Sequence, residues 1–260
     1  MKLAFVAVVA ILILAGCKKD ITINEESINA ETIASDVAGE FPNCKLRRIV
    51  HKYGGDPFSV TVNALLTYNS AGNPISMVYP DEQNGTGNPN HYFIYDSQKR
   101  LSEWQLKYGP FIVEHHYYKH NAANQIVYDS AIHREAGAFV IIVSAIEYDA
   151  AGRVVKETKR NVFNQDGPLI PTRRPTYTYD SRGNIGVLNW RSSWYDNKVS
   201  LLRSHPVFQF LMKNYSRNNP YNSNSTGQKY NSLGLPLSIK AGNDRFFNAF
   251  NIEKLIYDCQ

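Results

Sequence analysis

The chain has 260 residues, a formal net charge of +5 and 43% hydrophobic residues, which suits one domain or one continuous array. Aromatics make up 12%, with 17 Tyr, as expected of a protein built from broad sheet faces. The positive excess is diffuse, clustering only at Lys45-Leu46-Arg47-Arg48 and Lys156–Arg160. These clusters read as solvated sheet faces or edge protection, and nucleic acid is not expected as a partner.

The first element in chain order is a leader. Lys2 supplies a positive n-region, and Leu3–Leu14 is an unbroken apolar run. That run is too short to span a bilayer core of roughly 30 Å, so it reads as a signal h-region. It ends in Leu14-Ala15-Gly16-Cys17, which matches the bacterial lipobox. Residues 1–16 are therefore expected to be a signal peptide, and Cys17 a lipidated membrane anchor that does not span the bilayer. Lys18-Lys19-Asp20 follows the Cys, and Glu25-Glu26 lies further on. The expected location is the outer membrane, with the periplasmic or outer face left open. Residues 17–42 read as anchor and tether ending near Pro42, and a short helix over 30–38 fits Ser27 or Asn29 as its cap.

Residues 43–260 carry a recurring phrase. It reads Tyr68-Asn69-Ser70-Ala71-Gly72, Tyr95-Asp96-Ser97-Gln98-Lys99, His120-Asn121-Ala122-Ala123-Asn124, Tyr148-Asp149-Ala150-Ala151-Gly152, Tyr179-Asp180-Ser181-Arg182-Gly183 and Tyr230-Asn231-Ser232-Leu233-Gly234, with an incomplete Tyr257-Asp258. Self-similarity at such a period marks an array of one supersecondary unit. Before the first copy, Phe58, Val60, Val62, Ala64, Leu66 and Tyr68 recur at period two, the pattern of one strand face. Phe139–Val143 is more continuous, as in a strand buried on both faces. A second run follows each phrase: Ile75, Met77 and Tyr79; Leu101–Tyr108; Val154-Val155; Ile185 and Val187. Strand, tight turn, strand is a β-hairpin. The fifth residue is Gly or Asn in five of the six copies, the residues that enter positive φ most cheaply. Asx after the Tyr accepts backbone N–H groups within the turn, so Asp96, Asp149 and Asp180 read as turn residues rather than catalytic or metal-binding carboxylates.

On this motif the chain resembles the YD-repeat (Rhs-like) family, over about residues 50–260. Tyr148-Asp149-Ala150-Ala151-Gly152-Arg153-Val154 and Tyr179-Asp180-Ser181-Arg182-Gly183-Asn184-Ile185 match the motif closely, and four copies are degraded. Large members curl into shells around other polypeptides. This chain is too short for that role and is more similar to the small YD-repeat lipoproteins of Bacteroidetes-type bacteria.

Between Tyr179 and Tyr230 the spacing of copies lengthens, so something is inserted. Val207, Phe208, Leu211, Met212 and Tyr215 follow the pattern of one helical face, with Ser204 as cap and Pro206 in the first turn, predicting a helix over about 205–215. Trp190, Trp194 and Tyr195 precede it, and an Asn- and Ser-rich loop, 216–227, follows. The three aromatics are a candidate ligand platform, and packing under the helix accounts for them equally.

With Cys17 lipidated, Cys44 and Cys259 remain. Twelve to fourteen strands in an open sheet separate the chain ends by roughly 55–65 Å, whereas a disulfide needs Cα atoms within ~7 Å. A bond between them would require the sheet to curl until its ends meet, so free thiols are the simpler expectation.

The chain contains no Gly-rich phosphate loop, G-x-S-x-G elbow, CxxC pair or H-E-x-x-H. His115, His116 and His120 with Glu114 form the densest histidine group, read as sheet-face residues because zinc would need ligands from a neighbouring strand. The expected fold is all-β: antiparallel hairpin repeats in one curved, twisted sheet, open or partly closed, with one short helix near 205–215. The expected function is a non-catalytic cell-envelope lipoprotein binding a glycan or protein on a sheet face, without cofactor or metal. The alternatives are an assembly component pairing through edge strands and, third, a glycan-active enzyme, which would need converging carboxylates.

Overall fold

The structure is a computed structural model. It describes residues 26–27, 43–53, 60–80, 87–135, 138–164, 176–186, 194–221, 228–239 and 252–259. The leader 1–16, Cys17, the span 30–38, Phe58, Val187 and Trp190 lie outside the described residues. Among the described residues, no helix is long and apolar enough to cross a membrane.

The chain is all-β around one ten-stranded antiparallel sheet. Nine strands follow one another as a meander: β2 (Cys44–Tyr53), β3 (Val60–Tyr68), β4 (Pro74–Val78), β5 (Asn90–Tyr95), β6 (Leu101–Tyr108), β7 (Phe111–His120), β8 (Ile126–Glu135), β9 (Ala138–Tyr148) and β10 (Val154–Asn164). The tenth, β14 (Ile252–Cys259), returns to pair with β2 on the far edge. Two short pairs lie outside this sheet. Strand β11 (Trp194–Val199) pairs with β12 (Asn218–Tyr221), and β1 (Glu26–Ser27) pairs with β13 (Lys229–Tyr230). Two residues of the expected tether, Glu26 and Ser27, thus pair with Lys229–Tyr230.

The sheet is not closed, because β10 and β14 are not neighbours. Beyond each edge, however, the hairpin pattern continues in short pieces. Thr176 bridges Lys156 of β10, and Tyr177 N–H donates to the Val155 carbonyl at 2.8 Å. At the other edge Ile239 bridges Ile252 of β14, with both backbone hydrogen bonds at 3.0 Å. The chain therefore runs from β10 through 176–186, 194–221 and 229–239 back to β2.

This path corrects the expectation of free thiols. Cys44 and Cys259 are direct partners in the β2–β14 register and form a disulfide. The length of an open sheet is no guide to their separation, because the last strand is not laid down at the end of the row. It is laid down beside the first.

One face of the sheet carries the core. Leu46, Ile49, Val62, Ala64, Met77, Tyr79 and Phe93 are buried in it. Helix α1 (Pro206–Met212) covers this inward face, preceded by a 3₁₀ turn at Leu201–Ser204. Phe208 is fully buried and meets Phe93 edge-on with centroids 6.5 Å apart, while Phe210 meets Tyr118 at 5.4 Å and 90°. Burying one such ring contributes about 1.5–3 kcal/mol. The helix is shorter than the predicted span. Its cap is His205, whose Nδ1 accepts from Val207 N–H at 3.2 Å, rather than Ser204. It stops at Lys213, which adopts φ 50° and ends the helical hydrogen-bond run. The run Phe139–Val143 is half-buried, not buried on both faces. It lies in β9, next to the edge strand β10.

Candidate functional site

The repeated turns join β3 to β4, β5 to β6, β7 to β8 and β9 to β10. In each copy the Asx backbone N–H donates to the carbonyl four residues on, and the fifth residue's N–H donates back to the Asx carbonyl. Asn69, Asp96, Asn121, Asp149, Asp180 and Asn231 all do this at 2.8–3.0 Å. Their side-chain oxygens accept further backbone N–H groups within the turn: Asp149 Oδ1 takes those of Ala151 and Arg153, and Asp180 Oδ1 takes that of Asn184. The fifth residue sits at positive φ in every copy: Gly72 84°, Lys99 62°, Asn124 61°, Gly152 75°, Gly183 83° and Gly234 75°. Asp96, Asp149 and Asp180 therefore spend their lone pairs on backbone. Arg100 and Arg153 also clamp Asp96 and Asp149, each with Nε at 2.8 Å.

The Tyr of the phrase performs a separate task that spacing alone did not reveal. Its hydroxyl donates to a backbone carbonyl in the preceding repeat: Tyr68 to Leu46, Tyr95 to Pro74, Tyr148 to Ile126 and Tyr257 to Pro236, all at 2.8 Å, and Tyr179 to Val154 at 3.2 Å. From Tyr95 onward the acceptor is the first residue after the previous turn. Tyr195 makes the same bond to Ile185 at 2.9 Å. Tyr195-Asp196 is thus another copy of the phrase, unrecognised because no Gly or Asn follows at the fifth position. This corrects the reading of Tyr195 as a ligand platform: it is 3% exposed and belongs to the interior. Trp190 lies outside the described residues, and of Trp194 only the backbone, paired with Tyr221, is described. Tyr230 is also buried, its hydroxyl bonded to Asp196 and to Gln228. Burial pushes the Asp196 carboxyl up to about 6.

The histidines divide between the two faces as period two requires. His116 points inward, beneath Trp104 at 4.7 Å between ring centroids. Its Nδ1 meets both Asp129 oxygens at 2.8 and 2.9 Å, and its Nε2 meets Glu114 Oε1 at 2.5 Å. Glu114 Oε2 also meets His133 Nδ1 at 3.3 Å. Burial disfavours the imidazolium, but the hydrogen bonds to the two carboxylates outweigh it and raise the His116 pKa to about 9. Among the described residues no group of three or more His, Cys, Asp or Glu has a metal-binding arrangement. The inward cluster is an ion triad, with both carboxylates occupied by His116.

The outward face, away from α1, is the candidate binding surface. The register sets Tyr92, Gln105 and His115 in one row across β5, β6 and β7, and Ile94, Glu103 and Tyr117 in the next. His115 lies 4.0 Å from the Tyr117 ring and meets its hydroxyl through Nδ1 at 2.9 Å. Its Nε2 meets Glu103 at 2.7 Å, and Gln105 Nε2 bonds the same ring nitrogen at 3.1 Å. Lys107 sits over the Tyr92 ring and Lys119 over the Tyr128 ring, at 4.9 and 5.2 Å. Tyr117 is 42% exposed. Aromatic surface beside fixed donors and acceptors can stack against a ligand and hydrogen-bond its rim at the same time.

No protein-family model matches the chain, and no curated protein matches it. Among solved structures, the chain is similar to one in the crystal structure of TcdB2-TccC3-Cdc42, with TM-score 0.30 and 14% identity. The match covers 76% of this chain and 11% of that one.

Proposed function

We propose that this chain is a non-catalytic cell-envelope protein of the YD-repeat type, anchored by a lipid on Cys17 in the outer membrane, that binds a glycan on the outward face of its sheet. The observation that carries this reading is the His115–Tyr117 pair on β7, set beside Glu103 and Gln105 of β6 on a half-exposed face, with Tyr92 on β5 and Tyr128 on β8 flanking them. A pyranose ring offers an apolar C–H face for stacking and a rim of hydroxyls for the polar groups. The non-catalytic part is supported by the state of the inward carboxylates, since Glu114 and Asp129 are both tied to His116 on the face that α1 covers. Pairing through edge strands has less support. Lys156, Lys159 and Arg160 sit on the edge strand β10, and Glu253, Lys254 and Asp258 on β14, and charge of this kind discourages strand addition.

The test is the melting temperature of the lipid-free chain from Lys18 to Gln260 against bacterial, host and plant glycans. A ligand at about a hundred times its Kd adds ~2.7 kcal/mol, a shift of several degrees. A shift with one glycan class that Tyr117→Ala abolishes supports the reading. No shift with any glycan, together with capture of one envelope protein that Tyr117→Ala releases, would replace the glycan with a protein partner on the same face.

A further inference from the structure

The outward face of the sheet is unequally charged. Period two and the strand register place Lys107 of β6, Lys119 of β7, Arg134 of β8 and Arg160 of β10 on the side that carries Tyr92, His115 and Tyr117. Arg160 lies in the same row as Tyr117, joined to it through Ser130 and Val143. It stands three strand spacings away, ~14 Å, while Lys119 stands two residues along β7 from Tyr117, ~7 Å. Arg134 lies two residues beyond Ile132, the cross-strand partner of His115. Lys119, Arg134 and Arg160 are exposed, and Lys107 is half-buried.

The carboxylates of this face are already taken. Among the described side chains of β5–β10 it holds Glu103 and Glu147. Glu103 meets His115 at 2.7 Å, and Glu147 meets Lys156 at 2.5 Å. Lys107 and Lys119 rest on the rings of Tyr92 and Tyr128. Neither they nor Arg134 and Arg160 form an ion pair with a described residue. The face therefore carries cations without matching anions, around the aromatic pair that a sugar would stack on.

We propose, building on the glycan reading of this face, that the glycan it binds is an acidic polysaccharide with a carboxylate or sulfate on its repeating unit. A neutral glycan would use the His115–Tyr117 pair and leave all four cations to water. An exposed ion pair contributes little by itself, so a face of this kind selects a ligand whose charges recur along its length. The spacing fits such a chain, because the cations lie on both sides of the aromatic pair rather than at one point. Arg134 and Arg160 can fork onto carboxylate or sulfate oxygens, and Lys107 and Lys119 act as point charges.

Calorimetry on the purified protein compares polygalacturonate with its methyl ester, and dextran sulfate with dextran, at low and at physiological salt. The expected result is binding of the charged member about tenfold or more tightly than its neutral counterpart, weakening as salt rises. Lys119→Glu/Arg134→Glu is expected to lose that preference at an unchanged ligand-free melting temperature. Should the pair unfold the protein, Arg160→Gln alone is expected to weaken the charged ligand severalfold and leave the neutral one unchanged. A preference confined to polygalacturonate assigns the charge to a carboxylate, and one confined to dextran sulfate assigns it to a sulfate. Equal binding of charged and neutral members, or a full preference in the charge-reversed protein, would overturn the acidic ligand and leave the glycan reading standing. Binding of polyglutamate as tightly as the acidic glycans, or of no glycan at all, would remove the glycan reading and this ligand with it.

Discussion

Cys44 and Cys259 stand opposite each other on β2 and β14, with Cα atoms 4.0 Å apart and a disulfide between them, although 215 residues separate them in sequence. The bond can form only once the chain has completed its circuit from β10 back to β2. It therefore locks the first and last strands of the array together.

Removing that lock is expected to be costly. Loop-closure entropy rises slowly with loop length and reaches about 5 kcal/mol for a loop of a few hundred residues. Cys44→Ala/Cys259→Ala should lose about 3–5 kcal/mol and melt roughly 10 °C lower. Thermal melts with and without reductant check this. A reduced protein that melts with the oxidised one would mean the circuit is held without the bond.

The tyrosine hydroxyls should matter individually and similarly. Tyr95→Phe removes the donor to the Pro74 carbonyl and Tyr68→Phe the donor to Leu46. Each should cost about 1–2 kcal/mol, because a partly buried carbonyl loses its partner. Tyr128→Phe on the outward face keeps its ring beneath Lys119 and should stay within about 0.5 kcal/mol of the parent. Denaturant midpoints measure all three. Equal midpoints across the set would remove the hydroxyl from the account of repeat stacking.

The fifth position of the turn gives a test with opposite signs. Lys99 holds φ 62° with a β-carbon, so Lys99→Gly should stabilise by about 1 kcal/mol. At Gly152 a β-carbon would meet only Gln125 Nε2, at an ordinary 3.8 Å, so Gly152→Ala should cost about 1 kcal/mol through backbone strain alone. Urea unfolding of the two variants decides it. A stabilised Gly152→Ala would show that the turn does not require positive φ there.

His116 makes stability depend on pH in a defined window. Its pKa rises from an ordinary 6.5 to about 9 on folding, so the folded state binds the proton more tightly. The resulting stabilisation is fully present below pH 6.5 and is lost as pH rises towards 9, at up to about 1.4 kcal/mol per pH unit. Asp129, Glu114 and, through Glu114, His133 face this group. His116→Asn should flatten that slope while lowering stability at pH 6, since two carboxylates lose their cation. Stability measured at pH 6, 7.5 and 9 tests it, and a wild-type protein equally stable at all three would exclude the triad as its source.

Local chemistry was legible in the sequence wherever it depends on a few adjacent residues. Tyr148-Asp149-Ala150-Ala151-Gly152 announces its turn, because Asx hydrogen bonding and positive φ are decided within five residues. The face of α1 was legible from Val207, Phe208, Leu211 and Met212, but its cap was not, since His205 is an unusual cap and Ser204 a common one. Tyr195-Asp196 is not legible as a copy because Val199 stands where Gly or Asn would be, while the hydroxyl contact and the Lys198 N–H bond to Asp196 Oδ1 remain. The outward aromatic surface was hidden for a different reason: Tyr92, the His115–Tyr117 pair and Tyr128 lie on three separate strands, β5, β7 and β8, and only the register brings them together.

The hairpin unit, its turn conformation and the all-β class follow from the residue order alone, since each rests on short-range sterics and hydrogen bonds repeated copy after copy. The place of the last strand, and with it the disulfide, emerges only in the folded chain. So do the partners of His116 and the gathering of Lys107, Lys119, Arg134 and Arg160 on one face. Those outcomes depend on contacts between residues distant in the chain, set by the accumulated path of many hairpins, and no local pattern encodes that sum.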